Sequence, residues 1–151
     1  GDNVMVGYYN DPEATAAVLE DGWLKTGDLV EEDEEGYITI VGRIKNLIIL
    51  SNGENISPEE IEEVSYKENF VKDCLIKEDT MNGESVIAIE IFPYGPEVEG
   101  LSPEEIQKKA EEVVAKVNAT MPTFKRVTKV MTRSEDFKRT GAMKIDRKAH
   151  I

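Results

Sequence analysis

The spacing of apolar and polar positions changes period several times along this chain, and each change marks an element. Val4 and Val6 alternate as in a strand, and Asn10 or Asp11 followed by Pro12 supplies a helix start. Ala14, Ala17 and Val18 then recur at helical spacing, predicting a helix over about 11–20 that Asp21-Gly22 closes. Two apolar stretches, 23–30 and 37–41, flank the run EEDEEG, which reads as an exposed hairpin loop. Residues 47–50 are continuously apolar, and Ser51-Asn52-Gly53 turns the chain back toward Ile56 in a small hairpin. Ser57-Pro58-Glu59-Glu60 reads as a capping box with proline at the first helical position, predicting a helix from about 58 to 68.

Segments 70–77 and 84–92 read as strands around the turn Met81-Asn82-Gly83. The second, SVIAIEIF, is apolar enough on both faces to be central in its sheet, and Pro93 and Pro96 end it. Ser102-Pro103-Glu104-Glu105 repeats the capping device, and Ile106, Ala110, Val113, Val114 and Val117 mark one face of a helix ending near Ala119. Beyond Pro122, residues 126–132 alternate as an edge strand, and the basic run FKRTGAMKIDRK follows. From residue 46 onward this order predicts a compact α+β domain, an antiparallel sheet with helices packed against it. Residues 1–45 read as a β-rich remnant of a larger sheet, too few strands to bury their own faces. The predicted division is therefore 1–45 and 46–151, with a hinge of only a few residues because no Gly/Ser-rich linker intervenes. Unpaired strand edges in 1–43 are expected to invite pairing with a second copy.

Composition narrows the function. The chain has 151 residues, 40% of them apolar, and a net charge of −13, which argues against general affinity for DNA, RNA or anionic lipid. It contains no 18-residue apolar run and no basic-then-apolar start, so neither a membrane span nor a signal peptide is predicted, and a cytosolic location is expected. Charge is unevenly spread: residues 1–124 hold nine Lys and Arg against 28 Asp and Glu, whereas residues 125–151 hold nine against three. A basic tail folding back on an acidic body explains this, as does a basic surface facing the phosphates of a nucleotide or coenzyme. The single cysteine, Cys74, excludes an internal disulfide and lies in the apolar run VKDCLI, as a buried residue would. His150, the only histidine, has no evident partners in sequence, and neither a metal nor a catalytic role is expected of it.

Candidate chemistry gathers at a few short motifs. Thr26-Gly27-Asp28 places a carboxylate beside a glycine, where backbone can approach closely. Gly42-Arg43 and Lys45 follow, then the glycine turn at Gly53 and, near the end, Lys144 in TGAMKIDR. Taken singly, each is also what a surface hairpin with basic ends would show. In this order they resemble the junction and small domain of the adenylate-forming enzymes, the superfamily of acyl-CoA synthetases, luciferases and peptide-synthetase adenylation domains. The likeness covers nearly the whole chain.

The resemblance implies specific roles. Gly22-Trp23 with Thr26-Gly27-Asp28 is similar to the element whose aspartate binds the ribose hydroxyls of ATP or AMP, a task suited to an acceptor-only carboxylate. Gly42-Arg43 resembles the next element, whose arginine contacts the nucleotide, and Lys45 falls at the hinge residue. Gly53 resembles the glycine lining the thiol-entry channel for CoA, with Asn52 and Asn55 as minor neighbours that orient adenylate groups. Gly53 lies ten residues beyond Arg43, a spacing similar to long-chain acyl-CoA ligases. Lys144 resembles the C-terminal lysine that reaches the α-phosphate and the carboxylate during adenylation. Here the pattern departs from the commoner S-G-K-I: Ala142 and Met143 separate Gly141 from Lys144, as in the TPTxKI of long-chain ligases, which leaves Lys138 and Arg139 as second candidates.

The phosphate-binding loop, the adenine and Mg²⁺ element and the acyl pocket have no counterpart here. The resemblance thus implies a C-terminal segment of a fatty acid–CoA ligase, inactive alone, with ATP and CoA as substrates and Mg²⁺ held by a missing large domain that is its partner. Two alternatives stay open: an adenylation enzyme that loads an amino or aryl acid onto a carrier protein, and a non-catalytic interaction module of the same fold. Peripheral association of the parent with a membrane is also left open.

Overall fold

A computed structural model of the chain describes residues 2–51 and 53–150. The chain divides into two compact units, Gly1–Lys45 and Asn46–Ile151.

The first unit opens irregularly. Val4 and Val6 form no strand, and Val6 is fully exposed. No described strand pairs with them, and a lone strand satisfies none of its backbone groups. Helix α1 (Pro12–Val18) starts as predicted, with the Asp11 side chain accepting from the Ala14 amide and Pro12 in the first turn. It stops two residues short of the predicted end because β1 (Leu19–Glu20) pairs with β2 (Trp23–Leu24). The intervening Asp21 and Gly22 both have positive φ, 50° and 82°, as a tight two-residue hairpin turn requires.

Strands β3 (Asp28–Glu32) and β4 (Ile38–Arg43) then form an antiparallel pair in which Asp28 sits opposite Arg43, with a register shift between Leu29 and Val30. In their acidic loop the Asp33 carboxylate accepts from the amides of Glu35 and Tyr37, each at 2.9 Å, so one acid of that run shapes the turn while the others face water. Gly42 is the one buried residue among those described in this unit. Trp23, Tyr37, Ile38 and Ile40 stay largely exposed. Two-stranded ribbons of this length cannot enclose a core.

The second unit has one. A 3₁₀ turn, Ile44–Asn46, spans the boundary, and β5 (Ile48–Ile49) pairs with β6 (Asn55–Ile56) in the predicted hairpin. Helix α2 (Pro58–Ser65) begins where predicted but without the capping box: the Ser57 hydroxyl donates to Glu59 Oε2 at 3.2 Å instead of accepting from the helix. Glu59 also accepts from the Asn46 side chain, and Glu60, the glutamate at the box position, is taken by Lys125. Strands β7 (Val71–Met81) and β8 (Glu84–Pro93) form a long antiparallel hairpin around Asn82-Gly83, both at positive φ. After the short helix α3 (Gly95–Val98), α4 (Pro103–Thr120) carries a complete capping box between Ser102 and Glu105. Strand β9 (Lys129–Thr132) completes a sheet of order β7-β8-β9 with β8 central, as its sequence predicts.

The pair β8–β9 is parallel. The chain leaves β8 at one end of the sheet and returns through α4, and a crossover through a helix delivers the next strand in the same direction. The α+β architecture expected from sequence is thus present, with its three-stranded sheet mixed in direction.

Ile56, Ile61, Cys74, Ile76, Ile87, Ile89 and Ile91 join Ala110, Val113, Val114 and Val117 of α4 in one buried cluster, so the two longer helices cover one sheet face. Strand alternation puts Leu75, Lys77, Ala88 and Glu90 on the other. Phe137 is buried on that face, because Arg133 both pairs with Glu90 and stacks 4.2 Å over the Phe137 ring. The basic tail therefore folds back on the acidic body, with Lys125 on Glu60, Lys129 on Asp79, Arg133 on Glu90, Arg139 on Asp73 and Arg147 on Glu62. Among the described residues no helix is long and apolar enough to cross a membrane.

Candidate functional site

In the first unit the structure brings Asp28 and Arg43 together. They are direct partners across β3 and β4, and Arg43 Nη1 lies 2.8 Å from Asp28 Oδ1 and donates to the Thr26 carbonyl at 3.0 Å. Thr26 Oγ1 accepts from the Asp28 amide, and the Gly27 carbonyl accepts from the Ile44 amide at 3.0 Å, so the end of β4 fastens the Thr-Gly-Asp turn. Gly27 takes φ +73°, which its lack of a side chain permits. The Asp28 side chain is 18% exposed and that of Arg43 45%. The aspartate thus retains acceptor capacity beyond one ion pair, and the arginine presents further donors to solvent. Lys45 is exposed at the last position of this unit.

In the second unit Gly53 and Lys144 lie on separate hairpins. Gly53 has φ +84° in the β5–β6 turn, where its amide donates to the Leu50 carbonyl at 2.8 Å. A Cβ there would meet nothing within 4 Å, so the glycine is required by backbone conformation, and the space over it is open. Asn55 is exposed on β6 opposite Ile49. Asn52 lies outside the described residues.

Lys144 sits on the return arm of a hairpin over residues 138–146. Its rungs are Asp146 N–H to the Lys138 carbonyl, the bridge between Arg139 and Ile145, and Thr140 N–H to the Lys144 carbonyl at 2.8 Å. The tip is closed by Met143 N–H to the Thr140 carbonyl, with Met143 itself at φ +61°. Residues 138–144 are exposed, and the Lys144 side chain has neither a hydrogen bond nor an ion pair among the described residues. Lys138 is likewise exposed. Arg139 is committed elsewhere: its guanidinium binds the Asp73 carboxylate, which pushes its pKa further up, and donates to the Met143 carbonyl at 3.2 Å.

A family model described as the AMP-binding enzyme C-terminal domain matches residues 45–151. The chain belongs to that family. This AMP-binding enzyme C-terminal domain is 44% identical over 97 residues to a long-chain-fatty-acid–CoA ligase of Bacillus subtilis, an alignment covering 63% of the chain and 17% of the relative. It is 45% identical over 91 residues to an indoleacetate–CoA ligase of Aromatoleum aromaticum, covering 59% of the chain and 18% of the relative. Among solved structures, the o-succinylbenzoate coenzyme A synthetase of Bacillus subtilis in complex with AMP superimposes with a TM-score of 0.74 at 28% identity, covering 98% of the chain and 28% of that protein. The chain thus spans less than a fifth of the length of these curated relatives.

Several residues that shape the domain around Lys144 carry no signal of their own in sequence. Glu62 is 8% exposed and accepts from the Ile76 amide at 2.7 Å through Oε1, while Oε2 receives Arg147. Burial pushes its pKa up against the opposing pull of Arg147. His150 corrects its reading as partnerless: Nε2 accepts from the Lys138 amide at 2.9 Å, the ring packs edge-on against Phe137, and its carbonyl accepts from Lys77. The tail's course, a tertiary property, supplies these partners.

Proposed function

We propose that this domain is the mobile C-terminal part of an ATP-dependent acid–thiol ligase, preceded in residues 1–45 by the end of the large domain. In the parent reaction a carboxylate attacks the α-phosphorus of ATP, giving acyl-adenylate and releasing pyrophosphate. The CoA thiolate then attacks the acyl carbon, giving the thioester and releasing AMP. Asp28 accepts from the ribose hydroxyls, and Arg43 orients that carboxylate and contacts the nucleotide. Lys144 stabilises charge developing on the phosphate and carboxylate oxygens as pyrophosphate leaves. Gly53 keeps the thiol path open, and Lys45 is the hinge at which the domain turns between the two steps. Mg²⁺ is assigned to the large domain, as the resemblance implies.

The observation that carries this reading is the contrast within the basic tail. Lys125, Lys129, Arg133, Arg139 and Arg147 are neutralised by the acidic body, whereas Arg126, Lys138, Lys144 and Lys148 form no ion pair among the described residues, and of these four only Lys144 stands beside the tip of the 138–146 hairpin. We assign a fatty acid as substrate, supported by the 44% identity to the long-chain ligase and by the spacing from Arg43 to Gly53. An aromatic acid is the second reading, favoured by the 45% identity to the indoleacetate ligase. A cytoplasmic location suits a ligase using ATP and CoA.

The test is carboxylate-dependent pyrophosphate exchange by the full-length protein with palmitate and indoleacetate, followed by thioester formation with CoA or a carrier-protein thiol. Exchange with palmitate and transfer to CoA are expected. Exchange with neither acid would favour a non-catalytic module, and transfer only to carrier protein would favour the loading enzyme. The 151-residue chain alone is expected to show no exchange, since Asp28, Arg43 and Lys144 form only part of the nucleotide shell.

A further inference from the structure

We propose that Arg139 and Arg147 are positioning residues for Lys144, fixing both arms of its hairpin to the outer edge of β7. The inference rests on the reading of Lys144 as the catalytic lysine. Arg139 lies on the outgoing arm and reaches Asp73 of β7 with one nitrogen, while another donates to the carbonyl of Met143, the residue just before Lys144. Arg147 follows the return arm, donating to the Ile76 carbonyl of β7 at 3.2 Å and to Glu62. Asp73 and Ile76 are three residues apart on one strand, so the two anchors are separated by about 10 Å.

Apart from the bond of the Lys138 amide to His150 Nε2 at its base, these two arginines are the polar ties from the hairpin to the rest of the domain among the described residues. Residues 138–144 are exposed, and a short two-stranded hairpin without a buried face is marginal in water. Its tip also holds Met143 in the left-handed region, which a non-glycine residue keeps only when its surroundings insist. Arg139 supplies that insistence directly at the Met143 carbonyl. Two planar guanidinium forks, each engaging a carboxylate and a backbone carbonyl, fix direction as well as distance, which lysines could not do. The Ile76 edge is closed on both of its polar groups: Glu62 accepts from its amide and Arg147 donates to its carbonyl, the pattern a neighbouring strand would supply. The clamp on the return arm is therefore built into the core of the domain and is not a loose surface pair.

The experiment has two parts. In the 151-residue chain, hydrogen exchange at the Thr140, Met143 and Asp146 amides is compared among wild type, Arg139→Gln and Arg147→Gln, with Ile89 and Ile91 as core references. In the full-length protein, adenylate formation with ATP and palmitate is measured for the same variants, for Lys144→Ala, and for the reciprocal pair Asp73→Arg with Arg139→Asp. We expect hairpin amides to exchange at least about tenfold faster in each Gln variant while Ile89 and Ile91 are unchanged. We expect kcat for adenylation to fall roughly 10- to 100-fold with KM for ATP nearly constant, since misplacement by an ångström is enough for such a loss. Thioester formation from supplied acyl-adenylate should persist, and the reciprocal pair, which restores the tie to β7 but leaves the Met143 carbonyl without its donor, should recover only part of the kcat lost in Arg139→Gln. Unchanged hairpin exchange, or full adenylation activity in both Gln variants, overturns the proposal. Should Arg147→Gln unfold the domain, seen as lost Ile89 protection, Arg139→Gln and the reciprocal pair decide. Absence of palmitate-dependent adenylation in the wild type, or full activity of Lys144→Ala, would instead overturn the functional reading, and the exchange data would still judge the clamp.

Discussion

Glu62 Oε1 lies 2.7 Å from the Ile76 amide nitrogen, so a side chain of α2 occupies the hydrogen-bonding position at the outer edge of β7. The carboxylate is buried, and burial raises its pKa more than Arg147 lowers it. Between the ordinary glutamate range and that raised value the native chain holds more protons than the unfolded chain, so this group makes stability fall as pH rises through the window. Glu62→Gln keeps an acceptor for Ile76 and removes the titration. The stability of wild type relative to Glu62→Gln should therefore be greatest below the ordinary glutamate range and decline as pH rises through the folded value. Chemical denaturation of both chains from pH 4 to 7.5 measures the difference, and a gap that widens with rising pH would show that Arg147 outweighs burial. Glu62→Ala should cost roughly 1–3 kcal/mol, because the Ile76 amide loses its acceptor and Arg147 keeps only Glu59 at 3.6 Å.

Cys74 is fully buried in the main cluster, and burial pushes its thiol far above the ordinary range, with the Glu62 charge adding to the shift. Only thiolate reacts with disulfide reagents. The native chain should therefore leave Cys74 untouched by an aromatic disulfide at pH 8 and give one equivalent of reaction in guanidinium. Rapid labelling in buffer would place the β7–β8 core in an open state.

Trp23, the only tryptophan, is 77% exposed in a unit without a core. Its fluorescence in the isolated chain should match that of the unfolded chain and be freely quenched by acrylamide. If residues 1–45 end a larger domain, the same tryptophan in the full-length protein should emit at shorter wavelength and be shielded. Equal quenching in both would argue that this surface stays uncovered.

What the sequence made legible was local chemistry. Ser102 with Glu105 forms its box, while the same letters at Ser57 fail because the Ser57 hydroxyl donates to Glu59 and Lys125 takes the box residue Glu60. Asp21-Gly22 and Asn82-Gly83 each specify a tight turn, and the hairpin at the first cut α1 short. The parallel course of β9 and the partners of His150 and Arg147 depend on where α4 and the tail return in space, which no short-range pattern encodes. Asp28 and Arg43 are picked out by the resemblance of their short motifs, and that they face one another across two strands is a finding of the structure. The clamp at Asp73 and Glu62 could not be picked out, since its partners are 66 and 85 residues away.

Lys144 and Gly53 lie on different hairpins of the second unit. Lys144 carries an uncommitted ammonium, and Gly53 carries open space at φ +84°. If the domain presents one of them to the active site in each step, each substitution injures one half-reaction. Lys144→Ala in the full-length protein should lower adenylate formation on the order of 10²- to 10³-fold, with thioester formation from supplied acyl-adenylate largely kept. Gly53→Leu should do the reverse. Because a Cβ at Gly53 meets no neighbour, its effect on folding comes only from the left-handed backbone, about 1–2 kcal/mol, and Gly53→Asn, which tolerates that conformation, isolates the steric part. Thioester formation should then fall in the order glycine, asparagine, leucine, while pyrophosphate exchange stays nearly level. Equal damage to both half-reactions by Lys144→Ala, or by Gly53→Leu once its stability is matched, would mean that residue serves no single step, and the rotation about Lys45 would lose its support.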